Sequence, residues 1–330
     1  MTKGLRVAFY VRNAFQAQHL RPLFRVTPDA VWLVKSQSDA RAFGIPANEN
    51  VETAKVFVRR KMEQFDIVVS HASPRGKAPL QRAKFVMVQY GYAKEPYNFG
   101  EWRKMAQAIL AYGDYAVERF SEHAPSFAIG NPGLDNWNSD GFEDMARASV
   151  GPLPTGKPVF LFAPTWGDLS SLPQWSKHVA ALSEFGTVLL KAHHNSLRDG
   201  ELDLLKRSDG VIDVSHVDLM QVLRVCDVMI SDYSGAIFDG IMCEKPVVLL
   251  DVDGIEDNFG SKLDHNSLEM RRRDELGIRV QAADALAPAV TRAVTEGPLV
   301  ADDLKKSLFV STSGTVGEAF LKALTKVMDL

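Results

Sequence analysis

Short apolar runs rich in Val, Ile and Phe return through this chain with amphipathic stretches between them, and that rhythm limits the folds open to it. Runs stand at Leu5–Val11, Ala30–Val34, Asp66–Ser70, Phe85–Gln89 and Phe127–Ile129. They are continuously apolar rather than alternating, as strands buried on both faces are. Helical spacing fills several intervals, for example Glu52–Gln64 and Glu101–Leu110. Strand–helix alternation of this kind predicts a parallel sheet covered by helices on both faces.

The rhythm breaks at Gly130–Thr155, where GNPGLDNWNSDG and VGPLPTGKP concentrate Gly, Pro, Asn and Asp. Such residues mark loops and a domain boundary. The alternation then restarts. Strands are predicted at Val159–Ala163, Thr187–Ala192, Val211–Val214, Asp227–Ser231 and Pro246–Leu250. Helices are predicted at Pro173–Phe185, Ser196–Arg207, Val217–Val225, Gly235–Cys243 and Ala283–Thr295. Helical spacing closes the chain over Gly317–Leu330. At 330 residues the chain has room for two domains. The expectation is two Rossmann-like α/β domains: 1–145, then 146–312, with 313–330 as a C-terminal helix.

Composition narrows the function classes. A net charge of −3 argues against a nucleic-acid binder working through bulk positive charge. Only two cysteines occur, Cys226 and Cys243, both in apolar surroundings. They read as buried small hydrophobes of a cytoplasmic protein. The first apolar run reads as a strand rather than a signal peptide. No apolar run approaches the ~18 residues of a membrane span.

In open α/β sheets ligands bind beyond the C-terminal strand ends, so those residues are the ones to read for chemistry. After Asp227–Ser231 come Asp232, Tyr233, Ser234 and Gly235, then a helix. Hydroxyls and unpaired N–H groups there suit a phosphate, with Gly235 allowing close approach; equally, Asp232 or Ser234 could simply cap the helix. Val159–Ala163 runs into Pro164, Thr165 and Trp166, a second set of phosphate-compatible groups, with Trp166 either lining the site or serving the core. Thr187–Ala192 carries Lys191, a cation for a pyrophosphate, and leads to His193, a donor near a leaving group. His193 and His194 point oppositely in extended chain, which disfavours a shared metal ion. No GxxxxGK(S/T) loop is present, nor a GxGxxG after the first strand.

Together the blocks APTW (Ala163–Trp166), KAHH (Lys191–His194) and SDYSG…FD…EKP (Ser231–Gly235, Phe238–Asp239, Glu244–Pro246) resemble the CDP-glycerol glycerophosphotransferases of teichoic-acid and capsule synthesis. GNPGLD (Gly130–Asp135) resembles the family's GxPRxD element. The likeness is good over roughly residues 125–250. It implies a GT-B fold, two Rossmann-like domains with sheets facing a central cleft, and a last helix that returns to the N-terminal domain. It implies that Ser231, Tyr233 and Ser234 hold the donor phosphates, with His193 and Thr165 beside them. Asp239 and Glu244 would orient the surrounding helix and loop.

Two positions depart from the family. Its acceptor-side base is the His of a WHG element; the corresponding stretch here is VQYGY, with Tyr90 at that position. A tyrosine of ordinary pKa near 10 is a poor base at neutral pH. His71, at the end of Asp66–Ser70, is the replacement suggested by location, the alternative being a loop histidine without a role. Gly133 stands in place of the family's Arg. The implied reaction moves a polyol phosphate from a CDP-polyol to a glycan or lipid-linked hydroxyl. It needs no cofactor and no metal. A second reading keeps the fold and takes a sugar nucleotide; a third is a nucleotide-binding member without catalysis. Arg12–His19 and Tyr97–Lys104 are stretches that could meet an acceptor at the inner face of a membrane, the plainer reading of the second being aromatics turned to the core. Arg271–Arg273 reads as a solvated face.

Overall fold

The structure is a computed structural model and describes residues 4–73, 79–193, 195–196, 205, 208, 210–260, 263–310 and 315–330. Two compact units divide the chain. Unit 1 comprises Met1–Tyr90, Phe99–Asn138 and Lys306–Leu330; unit 2 comprises Gly91–Asn98 and Ser139–Lys305. The division differs from the predicted bounds at 91–98, at 139–145 and at 306–312.

Unit 1 is built on β1 (Val7–Tyr10), β2 (Val31–Val34), β3 (Val51–Thr53), β4 (Ile67–Ser70), β5 (Lys84–Val88), β6 (Ala108–Ala111) and β7 (Ser126–Ala128). These strands pair in parallel in the order β3-β2-β1-β4-β5-β6-β7. VAFY in β1 is wholly buried, as a central strand covered on both faces must be. Phe9 meets Phe24, Trp32 and Phe320 at ring separations of 5.6, 5.7 and 6.0 Å.

Phe24 belongs to the helix Ala14–Val26, whose Asn13 side chain caps Gln16 N–H. Phe320 belongs to the helix Val316–Met328, whose Thr315 hydroxyl caps it by accepting from Glu318 N–H. The two helices approach closely because Gly317 has no side chain: a Cβ there would stand 3.0 Å from Val26. The carboxylate of Asp135 accepts from the backbone N–H groups of Val316 and Gly317, both at 2.8 Å, so GNPGLD pins the start of this last helix.

Unit 2 carries β8 (Val159–Phe162), β9 (Thr187–Leu190), β10 (Val211–Asp213), β11 (Val228–Ser231), β12 (Val247–Leu250) and β13 (Ile278–Val280). All pairings are parallel, in the order β10-β9-β8-β11-β12-β13. Cys226 and Cys243 are buried, and burial raises both thiol pKa values, that of Cys226 to about 12.

Two predicted helices are corrected. Glu52–Gln64 splits into β3 and the short helix Val58–Met62. β3 is an edge strand, half exposed, so its mixed polarity imitates an amphipathic helix. Glu101–Leu110 splits into a 3-10 helix, Glu101–Met105, and β6, a fully buried strand between β5 and β7. Pairing on both sides outweighs the helix preference of Ala. The helix predicted at Ser196–Arg207 falls almost entirely outside the described residues, as does His194.

Candidate functional site

Strand order in unit 2 reverses between β8 and β11, the position where open α/β sheets leave a crevice for ligands. Ala163–Trp166 follows β8 and Asp232–Gly235 follows β11, so the sheet brings together two of the segments singled out in the sequence.

Asp232 locks these segments. It is fully buried, and its carboxylate accepts from Thr165 N at 2.8 and 3.1 Å, Ser171 N at 2.8 Å and Ser171 Oγ at 2.8 Å. Burial raises its pKa, opposed by these hydrogen bonds and by Arg273. Ser231 is also fully buried; its hydroxyl donates to Ala163 O at 2.6 Å, tying the end of β11 to that of β8. Tyr233 packs with Leu169, Val252, Ile255 and Leu263 beneath the guanidinium of Arg273, 4.0 Å from the ring centroid. These three side chains therefore face inward and shape the strand ends, rather than projecting toward a ligand as the motif suggested.

The solvated-face reading of the triple Arg holds for the exposed Arg271 and fails at Arg273. Arg273 is 3% exposed, pairs with Asp251 at 2.8 Å, and donates to Asp232 O and Leu250 O. Lys191 also turns inward: its ammonium donates to Ser215 O at 2.9 Å, and burial lowers its pKa against the pull of Asp218 and Asp213.

What lies along this edge is a smaller set. Ser234 is nearly buried, with its Oγ accepting from Ala236 N at 3.3 Å. Gly235 precedes the helix Ala236–Met242, and a Cβ on it would make only ordinary contact, with Ala93 at 3.8 Å. Asp239 is half-buried within that helix. Glu244 lies away from this edge, past the far end of that helix and before β12, where it holds a left-handed φ of 56° and pairs with Lys305. Trp166 is half-buried, with the His193 ring stacked on it at 5.7 Å.

Sequence reasoning missed the cation of this site. Lys94 donates to Thr165 Oγ1 at 3.1 Å, and its ammonium stands 5.7 Å above the Trp166 ring. Its backbone takes a left-handed φ of 63° and its N–H donates at 2.6 Å to Oε1 of the fully buried Glu269. Burial, with Glu95 adding to it, pushes the Glu269 carboxyl up to about 7. Glu95 in turn accepts from Leu268 N at 2.9 Å. No local pattern marks these residues; the positive φ and the buried acid emerge only from the fold.

In unit 1 the order reverses between β1 and β4. His71 follows β4, but it is 3% exposed and both its nitrogens are engaged. Nδ1 lies 3.0 Å from Val88 O, and Nε2 lies 3.0 Å from Nδ1 of His19. Val88 O can only accept, so Nδ1 of His71 carries the hydrogen and its Nε2 faces the His19 ring. His19 Nε2 meets Tyr112 Oη at 2.9 Å and Asn131 Oδ1 at 3.0 Å. Burial holds His19 down at about 4 and His71 well below its ordinary value. As placed, the Nε2 of His71 is turned to His19 inside the unit rather than to its surface. Tyr90 is 39% exposed, with its ring edge-on to His71 and 4.9 Å from Phe15. Arg103, in the stretch Tyr97–Lys104, is fully buried between Trp102 and Phe120.

Comparison with known proteins agrees with this architecture. The wall teichoic acid polymerase TagF, in a variant soaked with CDPG, superposes with a TM-score of 0.73 at 16% identity, over 99% of this chain and 89% of that one. MnaA of S. aureus, solved with UDP, gives 0.61 at 12% identity over 99% and 97%. These likenesses define the class: a two-sheet parallel α/β protein of the GT-B type. In sequence, the teichoic acid glycerol-phosphate primase of Bacillus spizizenii W23 is 30% identical over 105 residues, which is 31% of this chain and 27% of the primase. The match thus spans about a quarter of that relative's length. The profile described as CDP-glycerol:poly(glycerophosphate) glycerophosphotransferase matches residues 49–257, more than half of the chain and well into the N-terminal half, where the motifs are weaker. The chain belongs to that family of transferases.

Proposed function

We propose that this protein transfers a polyol phosphate, glycerol or ribitol phosphate, from a CDP-activated donor to a hydroxyl of a glycan or lipid-linked acceptor in cell-surface polymer synthesis. The observation that carries the reading is the strand-end constellation of unit 2: two loops locked by Asp232, edged by Lys94, Thr165, Trp166, Ser234 and His193. A diphosphate needs positive charge and N–H or O–H donors in a fixed arrangement, and this edge offers both. The acceptor oxygen forms a bond to the distal phosphorus. The bond from that phosphorus to the bridging oxygen breaks, and CMP leaves with its electron pair. His193 and Lys94 stabilise the charge that grows on the leaving group.

Phosphoryl transfer through a loose transition state depends on positioning and electrostatics more than on a strong base. The acceptor proton accordingly passes to solvent and needs no strong protein base; within unit 1, Tyr90 stands at the family's His position with the buried His71 beside its ring. No helix among the described residues is long and apolar enough to cross a membrane. A cytoplasmic protein working at the inner membrane face fits a lipid-linked acceptor.

Calorimetric titration with CDP, CDP-glycerol, CDP-ribitol, UDP and UDP-sugars tests the reading on wild type and Ser234→Ala. Selective binding of CDP-polyols, weakened in the variant, is expected. Preference for a sugar nucleotide would instead support the second reading, which Tyr90 at the family's His position favours. Binding without turnover over a broad acceptor panel would leave a non-catalytic member.

A further inference from the structure

Val56 and Phe57 are the most exposed large apolar side chains among those described, at 66% and 76%. They are consecutive, between the edge strand β3 and the helix Val58–Met62. Phe57 holds a left-handed φ of 59°, which a bulky aromatic residue rarely adopts. Folding of unit 1 gains nothing by presenting two adjacent apolar groups to water in a strained turn. Such a tip is a contact surface.

Its surroundings are cationic. Lys55 precedes the tip and Arg60 follows it, both exposed. Lys55 also lines a concavity with Arg12 and Lys35 at the C-terminal ends of β1, β2 and β3. The acid in that concavity, Asp39, accepts from the Ser36 hydroxyl at 2.6 Å. Lys61 and Glu52 pair with each other and cancel. An apolar tip flanked by exposed Lys55 and Arg60, beside a concavity lined by Lys55, Arg12 and Lys35, matches the boundary of an anionic bilayer, where acyl chains lie directly beneath phosphates.

We infer that this edge of unit 1 docks the protein on an anionic membrane. Val56 and Phe57 enter the acyl boundary, while Lys55, Arg60, Arg12 and Lys35 meet lipid phosphates. The inference adds a surface to the proposed function and rests on it only in that a lipid-linked acceptor would be met there.

The test is co-sedimentation of the full chain with vesicles of phosphatidylcholine alone or with roughly a third phosphatidylglycerol, at low and high salt. Wild type should favour the anionic vesicles at least tenfold, and lose that preference as salt rises. Val56→Ser with Phe57→Ser should weaken binding about tenfold or more. Lys55→Glu and Arg60→Glu should each cost about fivefold on anionic vesicles. Phe57→Trp, a mild change at an exposed site, should show a blue-shifted emission on those vesicles. Failure of wild type to bind anionic vesicles, undiminished binding by the double serine variant, or an unshifted emission would each overturn the inference. CDP titration on the same samples separates the two readings. Vesicle binding without CDP binding would sink the transferase reading and still support this surface.

Discussion

Glu269 gives the protein a pH dependence that can be worked out in advance. Its carboxyl is fully buried, one oxygen accepts from Lys94 N, and the other has no hydrogen-bond partner. The folded-state pKa rises from 4.5 to about 7. Below 4.5 the group is protonated both folded and unfolded, and its neutral form fits the site. Between 4.5 and 7 the unfolded chain releases the proton and the folded one keeps it, so stability falls as pH rises. Above 7 the full penalty is in place, roughly 3 kcal/mol for a shift of this size. Glu269→Gln keeps an acceptor for Lys94 N and removes the charge. Urea melts from pH 4.5 to 8.5 should therefore show the variant matching wild type at the acid end and gaining roughly 3 kcal/mol at pH 8. Parallel profiles across the range would show that Glu269 does not carry a raised pKa and would refute the reasoning.

His19 works in the opposite window. Its pKa is lowered from 6.5 to about 4, so its contribution is present above 6.5 and lost as pH falls through 4. Discounted for partial exposure, His19→Gln should flatten the acid limb of the melting profile by roughly 2 kcal/mol. Asp232→Asn leaves buried donors from Thr165 and Ser171 without a full acceptor set; a loss of about 2–4 kcal/mol is expected in chemical melts, together with loss of CDP binding in calorimetry. Lys94→Met should raise the CDP dissociation constant about 10- to 100-fold, the worth of a charged hydrogen bond, with little change in melting temperature. An unchanged constant would remove Lys94 from the proposed site.

The fold was legible where burial is complete. β1, β8 and β11 are continuous apolar runs because they are buried on both faces. β3 and β6 were obscured for different reasons: one is a half-exposed edge, the other an Ala-containing strand that only its neighbours make extended. At the site, residue types were legible and directions were not. Ser231, Asp232 and Tyr233 stand at the strand end as expected, but whether a side chain turns toward ligand or core is decided by partners such as Ala163 and Arg273. Lys94 and Glu269 lie 175 residues apart, and no sequence window joins them.

The hydrogen bonds from Val316 and Gly317 to Asp135 join residues separated by 181 and 182 positions. During synthesis, the helix that covers Phe9 emerges only after every strand of unit 2. Until then Phe9, Phe24 and Trp32 lack part of their cover, and the nascent first unit offers an apolar face to chaperones or to its neighbours. Completion of unit 1 is thus a late, long-range closure. Changes at Asp135 or Gly317 should therefore be felt in the yield of folded chains before they are felt in turnover.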